Sequence, residues 1–191
     1  MEITLYYRGE LGSNKGTKQK HNLRKAFHDQ LSILWQQYPL SDMQWLWNTE
    51  NKLYKQHCDV SSEINGIKFV PIISKYLYMV ADINIELLRP EPPGTFNTQS
   101  GDLDNRVKTL LDALRAPSKP EELPNDAPPP DNEAPFYCLL EDDELIHKFS
   151  VTTRRLLEDN VSPREVILVI NIKTSLTRAM AYNEHLGGNI V

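Results

Sequence analysis

The side chains best suited to chemistry in this chain are acidic, and they come in two sets. Asp102 and Asp104 stand two residues apart with Asn105 beside them, where a strong helix pattern begins. One Asp at that point is explained as a helix cap, because the first backbone N–H groups of a helix lack partners. Two carboxylates so close repel each other unless a cation or proton offsets the charge, and with Asn105 they make an all-oxygen set of the kind magnesium takes. An EF-hand is excluded, since its loop, counted from Asp102, would need Gly and Glu where Val107 and Ala113 stand. The second set is Glu141-Asp142-Asp143-Glu144, directly before a strand-like run whose edge can hold one or two carboxylates in place. A solubilising surface run explains it equally simply. Lys108 lies four residues after Asp104 and Asp112 four after Lys108, so the three share a helix face. They form either an ion-pair ladder or, beside a metal site, a place where Lys108 neutralises a phosphate or the charge developing on a leaving oxygen.

These residues need elements to position them. Leu103, Val107, Leu110, Leu111 and Leu114 stripe one face of a helix that Pro117 ends. An earlier helix is marked by Leu23, Phe27, Leu31 and Leu34, with its stop at Pro39. Ile3 to Tyr7, Lys68 to Ile73, Leu77 to Leu88, Phe136 to Leu140, Leu145 to Thr152 and Glu165 to Lys173 read as strands; Val166 to Ile170 is apolar enough for the middle of a sheet. The pattern is α+β, in one domain over residues 1–191. An accessory insertion at about 40–65 carries Trp45 and Trp47, which read as core before base-stacking platform. Residues 117–135, rich in proline and acids, read as a surface loop that cannot form a packed core.

Composition is that of an ordinary globular protein, with 40% hydrophobic and 25% charged residues. The net charge of -5 argues against a nucleic-acid partner until its distribution is considered. Nine acids and one Lys lie between Pro117 and Glu144, so the rest of the chain carries 17 acids and 20 bases. Arg8, Lys15, Lys18, Lys20, Arg24 and Lys25 oppose Glu10 alone in a loop entering the first helix, which reads as a grip on a phosphate backbone or as a solvated basic loop. Cys58 and Cys138 have no metal-site spacing and read as reduced thiols. Without a membrane-length apolar run or a signal-like start, the expected setting is the cytoplasm, with no membrane partner.

In order, Gly-Asp-Leu-Asp-Asn-Arg-Val-Lys-Thr-Leu-Leu-Asp-Ala-Leu (101–114) and Glu-Asp-Asp-Glu-Leu-Ile (141–146) before a strand resemble the RusA family of Holliday junction resolvases. The resemblance covers roughly Gly101 to Lys173, with weaker support from the first strand and the Ser13-Asn14 loop. It implies a small mixed, mostly antiparallel sheet flanked by helices, a homodimer, and magnesium-dependent cleavage of symmetric strands at four-way DNA junctions. Carried over by motif, Asp102, Asp104 and Asp143 are the implied metal ligands, with Asp143 favoured over Asp142. Lys108 is the implied base near the scissile phosphate and Asp112 a supporting helix residue. Two other readings stay open: a module that binds branched DNA without cutting it, and a magnesium-dependent phosphoesterase acting on nucleotides. The chain has no Gly-rich phosphate loop to favour the latter.

Overall fold

The computed structural model describes residues 1–12, 16–48, 59–92, 103–124, 135–188 and 190–191. It is α+β. In chain order the main elements are β1 (Glu2–Glu10), α1 (Thr17–Trp35), β2 (Ser62–Ile64), β3 (Ile67–Ile73), β4 (Met79–Arg89), α2 (Leu103–Leu114), β5 (Phe136–Leu140), β6 (Ile146–Arg155) and β7 (Glu165–Leu176). The strands form a four-stranded sheet in the order β1-β7-β4-β6 and a three-stranded sheet in the order β2-β3-β5. β7 runs antiparallel to both β1 and β4, whereas β4 pairs parallel with β6, and β3 with β5.

The period of two predicted for β4 is what folds. Met79, Ala81, Ile83, Ile85 and Leu87 are buried, and β7 answers with Val166, Leu168, Ile170 and Ile172. The apolar face of α1, with Leu23, Phe27, Leu31 and Trp35, packs into the same core, as do Leu110 and Leu114 of α2 and Val70, Ile72, Leu139 and Leu140 of the smaller sheet. His28 joins α1 to β5: its Nδ1 accepts the Tyr137 backbone N–H at 2.9 Å, and its ring stacks on Phe136. The Gln30 side chain closes the outer edge of β1 by accepting from the Tyr6 N–H and donating to the Tyr6 carbonyl.

Two expectations need correction. The buried stripe of α2 is Arg106, Thr109, Leu110, Ala113 and Leu114, while Leu103 is 39% exposed and Val107 and Leu111 are half-buried. The helix is therefore rotated from its leucine stripe toward Arg106. The proline-rich segment is packed in its described residues 117–124, the stretch 125–134 lying outside the described residues: Leu123 joins Ala116, Phe69, Phe136 and Cys138 in a second small core, and Glu122 is held by Arg115 at 2.9 Å. Small apolar residues between prolines suffice to fill the space under the three-stranded sheet. Beyond β7 the chain packs as well. Asn183 is fully buried and donates to the carbonyls of Leu77 and Arg178, and Leu186 is in the core.

In the insertion, Leu40, Met43, Leu46 and Val60 are buried, and Trp47 meets Trp35 and Tyr137 edge-on, so the described part belongs to the core. Residues 49–58, with Cys58, lie outside the described residues. Cys138 is a buried free thiol whose pKa burial pushes up to about 12. No helix among the described residues is long and apolar enough to cross a membrane.

Candidate functional site

β4 leads through residues 90–102 into α2, and α2 runs back so that its far end meets the end of β5: Arg115 bridges Leu140 and the Ala116 N–H donates to the Leu140 carbonyl. Asp104 and the Glu141–Glu144 set are thereby placed at opposite ends of α2. Asp104 is exposed in the first turn, and Lys108 is exposed one turn later. Neither side chain has a hydrogen-bond or ion-pair partner among the described residues. The predicted Lys108–Asp112 ladder is not formed. Asp112 is taken instead by Lys20 of α1 and by Arg115, 3.5 Å away. Asp102 lies outside the described residues.

The second set is beyond the other end of α2. Asp142 caps a single 3-10 turn, Asp143–Leu145, by accepting the Glu144 N–H at 3.0 Å. That bond holds the Asp142 carboxyl below its ordinary pKa, against a smaller opposing effect of burial. Asp143 is shifted the opposite way, raised by desolvation and by its hydrogen bond and like charge with Asp142. Arg115 acts on both carboxyls, which places them at its end of the helix. Between Asp104 and Arg115 lie about 16 Å of helix, at 1.5 Å of rise per residue. Among the described residues no three metal-ligating side chains gather in one group, and Asp143 is not brought to Asp104.

Glu141 has a structural task. Its carboxylate accepts from Ser74 Oγ at 2.6 Å and the Lys75 N–H at 3.0 Å, and pairs with Lys75 Nζ at 2.8 Å, tying β5 to the turn before β4. A groove of about 420 Å³ runs past this point, lined by Lys75, Tyr76, Ser118, Glu141, Asp142 and Glu144. A larger hollow, about 710 Å³, lies over the outer face of the four-stranded sheet along the polar row Thr4, Asn171, Asn84 and Ser150, and neither acidic set lines it; its acids are Glu2 and Asp82. Beside the charged Glu2, Asp82, Lys148 and Lys173, its lining holds neutral polar groups in mutual hydrogen bonds, such as Thr4 to Asn171, and offers no nucleophile paired with a base.

The basic loop entering α1 is largely committed within the fold. Arg8 pairs with Glu158 and Glu165, Lys20 with Asp112, and Arg24 is buried, donating to the backbone carbonyls of Asp112 and Arg115. Lys15 lies outside the described residues. The cations that sequence reasoning passed over are at the Asp104 end of α2. Arg89 and Arg155 are register partners at the ends of β4 and β6, and Arg106 feels the charges of Arg89 and Glu91. Their signal was readable as Arg-Pro at the end of one strand and Arg-Arg at the end of another. Comparison with models of known protein families gives no match, and neither does comparison with curated proteins.

Proposed function

We propose that this chain is a magnesium-dependent endonuclease acting on branched DNA, in the manner of the RusA-type junction resolvases that its motifs resemble. The observation that carries the reading is the state of Asp104 and Lys108. A carboxylate and a cation lie one helical turn apart, exposed and unpaired among the described residues, at the end of α2 where Arg106 feels the charges of Arg89 and Glu91. An unpaired Lys108 is available to a phosphate, and an unpaired Asp104 to a hard cation. Magnesium, when bound, would supply Lewis-acid stabilisation of the phosphodiester undergoing attack. The described residues of one chain do not complete its ligand set, and Asp143 joins it only from a second copy of the chain.

A second reading is favoured by that same separation. A protein whose Asp143 serves only its own turn, and whose Asp104 is an exposed helix residue, is a branched-DNA-binding module without cleavage. The two are separated by incubating the protein with a labelled four-way junction in magnesium or in chelator, beside an Asp104→Asn variant. The nuclease reading expects paired nicks that need magnesium and are lost in Asp104→Asn. Binding with no nicking under any divalent ion supports the module and overturns the nuclease.

A further inference from the structure

We infer that Arg89 and Arg155 form a phosphate clamp for the DNA backbone at the Asp104 end of α2. The inference rests on the reading of this chain as a protein acting on DNA. Arg89 closes β4 and Arg155 closes β6, and the two are direct partners in the parallel register of that pair. Adjacent strands lie about 4.8 Å apart, so both side chains leave the same face of the sheet as near neighbours. That is the face of Ile83, Ile85 and Leu87, against which the core packs.

Like charges directly opposite each other destabilise a sheet unless something of opposite sign lies between them. The nearby Glu91 acts on Arg106, and Glu86 is 3.4 Å from Arg154 on the other face. Arg155 is exposed and joins no ion pair among the described residues. The Arg89 Nε–H is buried and has no acceptor among the described residues. The half-buried Arg89 guanidinium has no ion-pair partner among the described residues, and an anion is the group that would satisfy it. Guanidinium groups match the planar, two-point geometry of a phosphodiester better than an ammonium does. A phosphate seated between Arg89 and Arg155 would lie at the end of the molecule that carries Asp104 and Lys108, and away from the acidic turn at Asp142-Asp143, which repels it.

The measurement is the affinity of the full chain for a fluorescently labelled four-way junction, read by anisotropy in chelator so that cleavage is absent, over a series of salt concentrations. The Arg89→Gln/Arg155→Gln double variant is expected to bind roughly ten-fold or more weakly, with a log-log salt slope shallower by about two. Arg155→Gln, altered only on an exposed strand end, is expected to lose about one unit of slope while keeping the wild-type melting temperature. Arg178→Gln, at the opposite end of the sheet, removes the same charge and is expected to bind as wild type does. If the wild-type chain binds the junction and both Arg155→Gln and the double variant keep its affinity and slope, the clamp is wrong while the DNA reading stands. If the wild-type chain binds no DNA, the functional reading itself fails and the clamp falls with it.

Discussion

Asp142 and Asp143 show how much a side chain's meaning depends on the backbone that carries it. As adjacent letters they are interchangeable, and the motif favours Asp143 as the ligand. In the fold, Asp142 is engaged with the Glu144 N–H and held low, while Asp143 is raised by desolvation and by the neighbouring carboxylate. The signs follow. Asp142, depressed in the folded state, contributes stability above the ordinary carboxylate range and loses it as pH falls through its folded pKa. Asp143, raised, costs stability as pH climbs through its folded pKa, because its charged form is the disfavoured one. Asp143→Asn keeps a donor for Asp142 and removes the repulsion. It is expected to raise the melting temperature at neutral pH by about 1–2 °C, the modest gain proper to a solvent-screened pair. The gain should shrink toward acid pH, where the wild-type Asp143 is already neutral. Thermal melts of both proteins across pH check this, and destabilisation by Asp143→Asn, or a gain that grows on acidification, would refute it.

At the scale of elements, the sequence announced α1, β4, β5, β6 and β7, because periodicity reports which residues face a common core, and the core is where most of the chain folds. It misplaced what periodicity does not report. Arg24 was grouped with exposed bases, yet it is 1% exposed and donates from α1 to the Asp112 and Arg115 carbonyls at the end of α2. Arg106 likewise occupies a buried position where a leucine stripe alone pointed elsewhere. The Asn65-Gly66 turn joining β2 to β3, with both residues at positive φ, carried a hairpin signal that the short, polar β2 concealed. Of the candidate site, residue types were legible and distances were not, since which end of α2 meets Glu141 to Glu144 is fixed by the β5 register. Arg24 supports a prediction of its own. Helix ends leave carbonyls without partners, and here a buried guanidinium satisfies two of them. Removing a buried charge relieves its desolvation, which lowers the Arg24 pKa. Removing only one partner, however, strands the carbonyls, and that effect is the larger. Arg24→Met, of similar length and apolar, is expected to cost about 2 kcal/mol, a fall of about 4–8 °C in melting temperature for a chain of this size. Arg24→Lys, able to reach one carbonyl at a time, should fall between. An unchanged melt for Arg24→Met would show that the cap contributes nothing.

For the whole molecule, the separation of the acidic sets turns the question of catalysis into one of symmetry. About 16 Å of helix separates Asp104 from Arg115, the residue whose charge acts on Asp143, several times the 2.0–2.1 Å reach of a magnesium–oxygen bond, and among the described residues no metal-ligating group joins the two carboxylates. A twofold axis crossing α2 would set each helix start against the partner's helix end, and thus Asp104 against Asp143 of the partner subunit. Such a dimer would have two composite centres, one for each strand of a symmetric junction. The arrangement makes a prediction that no single-chain site can satisfy. Asp104→Asn and Asp143→Asn should each abolish magnesium-dependent nicking alone. Co-expressed with distinguishable tags, they assemble mixed dimers in which both lesions fall in the same composite centre and the other centre is intact. Random assembly makes half the dimers mixed, with one working centre in two, so about a quarter of the wild-type centres should return. The recovered activity should nick one strand per encounter instead of two. If both ligands instead come from one chain, every centre in the mixed dimer carries a lesion and no activity returns. Purified mixed dimers that stay inactive, alongside an active wild-type dimer, would therefore rule out the composite centre. Activity retained in Asp143→Asn alone would remove the acidic turn from catalysis and leave Asp104 to act with ligands on its own side of α2.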